Sequence, residues 1–455
     1  MQDPVLKAVL VGVQLPRVSD AELEGSLGEL TRLVNTLGYE VVGSLAQKRP
    51  GTGSALLLGE GKLRELARWT GGTGIVASTV TRKKSKAAEK FAREEEFEEE
   101  TEYIDERAEP PSVKADVVIV DCDLSPSQMR NLESATGATV LDRTGVIIEI
   151  FSRHARTRAA RLQVEIARLN YLAPRLRETG GGGDRQGGGI GGKGSGESSQ
   201  ELDRRHIRDR IKELKVELES IQHEGALRRR RRLEENTVAL VGYTNAGKSS
   251  LMRALTGSEV YVADKLFATL DTTVRPLEPE SMPKILLSDT VGFIKKLPHD
   301  LVASFRSTLE EALNADLLLF VVDSADPTFR SQLQVTREVL NEIGALEIPS
   351  LLILNKRDQL SEIQARALAA EFPEAVPLST RDRDDLKRLR RTLIDFFSQG
   401  LVEATLLVPY ATQGAVGDIR RAMQVVEENF GPEGTTFKLR AREADLKKIR
   451  EKYKI

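Results

Sequence analysis

The sequence predicts an α/β protein: a P-loop domain with a parallel sheet, an α/β N-terminal domain with a helical hairpin before it, and a small α/β domain after it. Three observations predict this. Apolar runs of strand length alternate with amphipathic stretches over most of the chain, as in β-α-β units on a parallel sheet. The run TVALVG leads directly into GYTNAGKSS at 242–250, a glycine-rich turn between a strand and a helix. A basic, helical stretch separates the two α/β regions.

Residues 1–150 form the N-terminal domain. AVLVGVQL reads as a strand. Residues 20–37 read as a helix, with Leu23, Leu27, Leu30 and Val34 on one face. EVVGSL is a second strand and GEGKLRELARW a short helix. DVVIVDCDL at 116–124 is a strand, followed by SPSQMRNL, where Ser125 suits a helix cap and Pro126 the first helical position. TVLDR closes the unit as a strand. Inside this domain, residues 82–109 pass from RKKSK to a block with ten acidic residues between Glu94 and Glu109 against Arg107 alone, the composition of a solvated insertion.

Residues 151–235 are expected to be a basic helical hairpin. FSRHARTRAARLQVEIARLNYLAPRL reads as one helix up to Pro174. LDRRHIRDRIKELKVELESI reads as another, with Ile207, Ile211, Leu214, Leu218 and Ile221 spaced as a short coiled-coil seam. Between them lies a glycine-rich loop, 180–197, either a flexible spacer or a set of bare amides suited to phosphate. The segment holds 20 Lys/Arg against 13 Asp/Glu and ends in five arginines, Arg228 to Arg232. A solvated coiled coil and a nucleic-acid surface both fit that charge.

From 236 to 400 strands and helices alternate again. TVALVG, KILLSDT, DLLLFVVDS, SLLILN and AVPLST are near-continuously apolar, as strands buried on both faces are. Helices are expected near 248–256, 300–313, 328–344, 361–371 and 384–398. Residues 401–455 make the C-terminal domain, with strands ATLLVPY and TTFKLRA and a helix near 415–428.

Composition narrows the class. The 455 residues allow two to four domains, and 40% apolar with 30% charged residues suits a soluble globular chain. The net charge of −2 points to no partner. No apolar run reaches the ~18 residues of a membrane span, and the N-terminus lacks a signal-peptide pattern, so a cytoplasmic protein is expected. The single cysteine, Cys122, and four histidines build no metal-ligand cluster, and Cys122 reads as a packing residue.

Three motifs carry the chemistry. Gly242 to Gly247, then Lys248 and Ser249, fit G-x-x-x-x-G-K-[ST]. The backbone of Gly242, Tyr243, Thr244, Asn245, Ala246 and Gly247 can curl so that its N–H groups face phosphate oxygens. The next helix, opening with Lys248, Ser249 and Ser250, presents its positive end. Lys248 can reach the β- and γ-phosphates, and the Ser249 hydroxyl can bind Mg²⁺. Asp289, ending the run LLSD, is placed for the same Mg²⁺, and the Gly292 N–H for the γ-phosphate. NKRD at 355–358 reads guanine: the Asp358 carboxylate accepts from the ring N–H and the exocyclic amine, an edge adenine lacks. Asn355 and the Lys356 stem would line the base, with Ser379 and Thr380 supporting it through backbone amides. GTP with Mg²⁺ follows. Between the first two motifs Thr269, Thr272 and Thr273 each offer a hydroxyl for the Mg²⁺ shell. Phe293 stands where Ras-type enzymes carry the glutamine that orients the attacking water.

Assembled, these motifs resemble the HflX family of ribosome-associated GTPases. The resemblance rests on VGYTNAGKSS, LFATLDTTVR, DTVGFI and NKRD. It rests more specifically on LSPSQMRNLE, on VLDRTGVIIEIFSRHARTRAARLQVEIARLNYLAPRL, on GSGE…LDRR and on LVPY…GAVGDI…FGPEGTTFKLRA. It implies that Thr269 is the switch threonine, which with Lys248 and Gly292 makes the catalytic set, and that Ser249, Thr269 and Asp289 hold the metal. It also implies a GTPase, expected as a monomer, that binds the large (50S) subunit, splits 70S ribosomes notably under stress, and contacts rRNA through the hairpin and its glycine loop, with hydrolysis driving release. Asn245 resembles the asparagine of GTPases that recruit K⁺. Ser250 replaces the family's usual threonine, and the insertion at 82–109 is outside the family pattern. An NTP-dependent rRNA remodeller and a GTP-dependent switch on a protein target stay open, as does a second nucleotide at Gly59, Gly61 and Lys62.

Overall fold

The computed structural model describes residues 5–76, 113–176, 199–230, 235–257, 266–267, 269, 273–295 and 311–455. The acidic insertion, the glycine loop 180–197, Thr272 and residues 300–310 of the helix expected at 300–313 lie outside these residues, while residues 311–313 are helical. Contacts divide the chain into two compact units, 1–153 with 164–214, and 154–163 with 215–455.

In the first unit, β1 (Lys7–Gln14), β2 (Glu40–Lys48), β3 (Val117–Val120) and β4 (Thr139–Asp142) form a parallel sheet in the order β2-β1-β3-β4. α1 (Asp20–Thr36) starts at a capping box formed by Ser19 and Glu22. α2 (Glu60–Thr70) starts at Gly59, whose N–H donates to Gln47, and Lys62 pairs with Glu65 at 2.9 Å. Gly59 caps the helix and Gly61 lies in its first turn, while β2 ends at Lys48, so no strand-to-helix turn is formed by these glycines. α3 (Pro126–Thr136) has the expected Ser125 cap and first-turn proline. Cys122 is half-buried against the core of Val9, Val118, Leu132 and their neighbours.

The long helix expected from 151 to Pro174 is two helices. α4 (Arg143–His154) begins immediately after β4, with Asp142 accepting the Gly145 N–H at 2.8 Å. α5 (Arg158–Leu172) restarts at Thr157, whose hydroxyl accepts from Ala160 N–H. A threonine that offers its own cap competes with continuing the helix. α6 (Ser199–Arg230) follows. Arg158 pairs with Glu217 and Glu165 with Arg210. Partner numbers fall along α6 as they rise along α5, the order of antiparallel helices.

In the second unit β5 (Asn236–Val241), β6 (Thr273–Pro276), β7 (Ile285–Asp289), β8 (Leu317–Asp323), β9 (Ser350–Asn355) and β10 (Val376–Pro377) form a sheet in the order β10-β9-β8-β5-β7-β6. All neighbours are parallel except β6, which runs against β7. The unit also holds α7 (Lys248–Thr256), α8 (Phe329–Glu342), α9 (Glu362–Glu371) and α10 (Arg383–Ser398), with Leu251 and Leu255 of α7 and Leu389 and Leu393 of α10 packed into the sheet core. Leu240, Leu287, Leu319 and Ile353 supply the central core, all fully buried. Carboxyl ends of parallel strands open a crevice on one sheet edge, where ligands bind in such folds.

The C-terminal residues form an antiparallel sheet β11-β13-β12, from β11 (Val402–Pro409), β12 (Gln424–Phe430) and β13 (Gly434–Ala441), with α11 (Gln413–Ala422) and α12 (Glu443–Tyr453). The helix expected to reach residue 428 stops at Ala422. Met423 turns extended, and Gln424 and the β-branched Val425 pair with β13 instead, Val426 forming a bulge.

Candidate functional site

The three motifs meet at the carboxyl ends of β5, β7 and β9. They line one open pocket of about 510 Å³. The loop from β5 to α7 is shaped by its glycines. Gly242 has φ +152° and a Cβ there would meet the Val321 carbonyl at 2.2 Å; Gly247 has φ +95° and a Cβ would meet Asn355 Nδ2 at 2.2 Å. Only hydrogen fits either position.

Lys248, 5% exposed, lies under the loop and donates from Nζ to the Gly242 carbonyl at 2.9 Å and the Tyr243 carbonyl at 2.8 Å. Burial pushes its ammonium down to about 8, against the pull of nearby Asp289. Two carbonyls are a thin shell for a buried cation, and phosphate oxygens would complete it.

Asp289 is fully buried at the end of β7. The Ser249 hydroxyl donates to its Oδ2 at 2.7 Å and sits 2.7 Å from the Thr269 hydroxyl. Burial pushes the Asp289 carboxyl above the usual carboxylate range, opposed by Lys248 and by hydrogen bonds from Ser249, Thr269 and the Thr290 backbone. Its other oxygen, Oδ1, is buried without a hydrogen-bond partner. One carboxylate, with one of its oxygens unmatched, and two hydroxyls form an all-oxygen donor set of the kind Mg²⁺ completes with phosphate and water. Thr273, one alternative for the switch threonine, lies in β6. Thr244 Oγ1 and Asn355 Oδ1 are also buried without partners. Thr244 and Asn355 line the pocket, and their unpaired polar atoms fit a ligand with polar edges.

The DTVG segment is stapled to the phosphate loop. Thr244 N–H donates to the Phe293 carbonyl at 2.8 Å, and Phe293 N–H donates to the Gly242 carbonyl at 3.1 Å. Lys295 N–H donates to the Tyr243 hydroxyl at 2.6 Å. Phe293 is 2% exposed and faces the interior, so its side chain cannot hold a water. Gly292 lines the pocket beside Lys248, where a Cβ would meet Lys248 Nζ and Thr244 Cα at 2.9 Å.

At the other end, Asn355 donates to the Ala246 carbonyl at 2.8 Å and ties the base-reading loop to the phosphate loop. Asp358 Oδ1 accepts from the Ser379 hydroxyl at 2.7 Å. Ser379 thus reaches the site through its hydroxyl and not its amide, because its N–H is taken by Asp385 Oδ2 at 2.9 Å. Thr380 lines the pocket, as do Thr244, Asn245, Ser249, Ser250 and Lys356. Asn245 stands at φ +61°. Motif reading missed Arg253, Phe267, Gln359 and Arg381, which also line it. Arg253 falls one turn after Ser249 on α7, so helical spacing could have found it. The others are neighbours of motif residues, without a spacing signal of their own.

The chain is similar to known GTPases over nearly its whole length. A family model described as the GTP-binding GTPase N-terminal region matches residues 24–75 and 69–152. One described as the GTP-binding GTPase Middle Region matches 154–232, and one described as a 50S ribosome-binding GTPase matches 237–356. GTPase HflX of Gluconacetobacter diazotrophicus is 59% identical over 453 residues, 98% of this chain and 98% of that protein. GTPase HflX of Escherichia coli (strain K12) is 36% identical over 440 residues, 96% of this chain and 93% of that protein. Among solved structures, a GTP-binding protein from the hyperthermophilic archaeon Sulfolobus solfataricus in complex with GDP is 24% identical with a TM-score of 0.42, covering 87% of this chain and 99% of that one.

Proposed function

The chain belongs to the HflX family of GTPases, and from that premise we propose that it binds the large (50S) ribosomal subunit and splits 70S ribosomes, with GTP hydrolysis driving its release. The observation that carries the reading is the single pocket shared by Lys248, Ser249, Gly292 and Asp358. Its residues would offer phosphate, metal and guanine contacts in one span. The description of the model matching 237–356 supports the partner. So does the basic excess between 151 and 235, whose lysines and arginines suit rRNA phosphates and make binding salt-sensitive.

In this reading GTP draws Lys248 Nζ from its own loop carbonyls to the β- and γ-phosphates. Backbone N–H groups of 242–248 and the N-terminus of α7 hold the phosphate chain. Ser249, Thr269 and Asp289 would hold Mg²⁺, which when bound neutralises charge on the phosphate oxygens. The Gly292 N–H meets the γ-phosphate and reports its loss. Asp358, oriented by Ser379, selects guanine.

Phe293 supplies no group to orient the water, so intrinsic hydrolysis is slow, and the large subunit accelerates it by ordering the switch segments. Asn245, in the phosphate loop, would recruit K⁺, whose charge would act where an arginine finger acts in related enzymes. The setting is the cytoplasm and the acting form a monomer.

Sucrose-gradient sedimentation tests the proposal. With 70S ribosomes and a non-hydrolysable GTP analogue, the 70S peak should give way to subunits, with the protein travelling with 50S. A protein that stays at the top of the gradient favours a switch with a protein target. Activity on isolated rRNA duplexes but not on 70S particles favours a remodeller. Equal GTP turnover with and without 50S removes the activation step, and equal turnover in K⁺ and Na⁺ removes the K⁺ site.

A further inference from the structure

We infer that Asp323 is a positioning residue for guanine-nucleotide binding, acting by holding the Lys356 side chain flat along the base pocket before nucleotide arrives. Asp323 ends β8 and does not itself line the pocket. Its Oδ2 accepts from Lys356 Nζ at 2.7 Å, and its Oδ1 accepts from Ala325 N–H at 3.1 Å. Both side chains of the pair are largely shielded, 24% and 18% exposed, so water screens the contact less than at an open surface. The next residue fixes the loop from which Lys356 emerges: Ser324 donates its hydroxyl to the Asn355 carbonyl at 2.6 Å and its N–H at 3.0 Å. Lys356 itself stands at φ +61°, a backbone region a lysine seldom occupies. Asp-Ser at the end of β8 therefore grips the first two residues of the base-reading loop, one through its backbone and one through its side chain.

The consequence follows from rotamer freedom. A free lysine stem samples many rotamers, and lying against a purine would cost it that freedom. With Nζ pinned to Asp323, the stem already lies along the pocket wall that it lines, so less ordering remains at binding. The ammonium is drawn towards β8, leaving the alkyl stem for the ring face. The carboxylate that discriminates guanine, on Asp358, is untouched by this pair. Asp323 should thus set how tightly a purine nucleotide binds, and not which purine.

This rests on the guanine-site reading above. Equilibrium titration of the full-length protein with fluorescent GDP separates the two: no binding by the unaltered protein overturns the site itself. Given that binding, Asp323→Asn should weaken GDP about three- to tenfold, raise KM for GTP by a similar factor, leave kcat near its original value and preserve the GTP-over-ATP ratio. Lys356→Met keeps the stem and loses the ammonium. It should give a loss of the same size, and the double variant should bind no worse than either single one. Unchanged GDP affinity in Asp323→Asn overturns the inference. So do fully additive losses, and so does a fall confined to kcat. Should Asp323→Asn fail to fold, Lys356→Met alone decides: unchanged affinity there overturns it.

Discussion

Ser249 and Asp289 are joined by a 2.7 Å hydrogen bond that links the first turn of the phosphate-loop helix to the end of β7, and the carboxylate oxygen not used in it has no hydrogen-bond partner. Two segments 40 residues apart thus place one hydroxyl and one carboxylate at a single point, with the Thr269 hydroxyl 2.7 Å from Ser249.

Ser249→Ala should therefore uncouple GTP binding from Mg²⁺. Losing an outer-shell partner of a metal site costs roughly 10–100-fold in metal affinity, and a direct ligand at least that. Titrating fluorescent GTP with Mg²⁺ and with EDTA reads the effect: the variant should show nearly the same affinity in both, while the unaltered protein shows a clear gain with Mg²⁺. A Mg²⁺ gain intact in Ser249→Ala would remove Ser249 from the metal set.

Asp358→Asn should exchange guanine for xanthine. The carboxylate offers two acceptors to two guanine donors. Asparagine offers one acceptor and one donor, which matches xanthine's ring N–H and its C2 carbonyl. Leaving one polar group unpaired costs about 1–3 kcal/mol, so GTP affinity should fall roughly 10–100-fold while XTP gains. Competition binding with GTP, XTP and ATP checks this, and retained guanine preference would sink the site assignment. Ser379→Ala, which removes the 2.7 Å bond to Asp358, should lower affinity for GTP less than Asp358→Asn does and leave its selectivity.

Gly292→Ala should stop hydrolysis with little effect on GDP. The new Cβ would sit 2.9 Å from Thr244 Cα, a backbone atom that cannot swing aside, and 2.9 Å from Lys248 Nζ, which can. Relief of the clash moves the DTVG segment away from the γ-phosphate position. Removing one such donor costs about 10²–10³ in kcat. Single-turnover GTP hydrolysis beside GDP binding separates the steps, and equal losses in both would indicate general damage to the pocket.

The parts of the site legible in the sequence are those whose chemistry demands consecutive residues. A loop that must present several amides to phosphate needs its glycines at fixed spacing, so Gly242 through Ser249 could be read without a structure. Asp358 was legible for the same reason, as part of NKRD. Pairings across neighbouring strand ends were not. Lys356 meets Asp323, 33 residues earlier, because β9 lies beside β8, and sheet order leaves no local mark on the sequence. The antiparallel strand β6 was hidden likewise: its residues TVRP carry no apolar alternation, and pairing with β7 creates it. The break between α4 and α5 turned on one competing cap, Thr157, inside an otherwise helical pattern.

Lys248 makes the last prediction, a pH dependence. Its folded-state value lies near 8, below its ordinary 10.5, because burial disfavours the ammonium. Between those values the unfolded chain holds a proton that the folded, nucleotide-free protein has released. Unfolding then takes up a proton, and this group makes stability rise with pH across that window; below about pH 8 both states are protonated and the slope vanishes. Nucleotide reverses the local preference, since phosphate charge favours the ammonium. Above pH 8 binding must therefore recapture a proton, and GDP affinity should fall with pH, by at most about tenfold per unit. The terminal phosphate ionises near pH 6 and does not confuse this window. Calorimetry at pH 7, 8 and 9 in buffers of different ionisation enthalpy should show little proton uptake at 7, approaching one proton at 9. Lys248→Met should bind weakly and without that uptake. Affinity that stays flat from pH 7 to 9 in the unaltered protein would mean that the ammonium keeps its proton in the empty pocket, and that the loop carbonyls and Asp289 suffice to hold it.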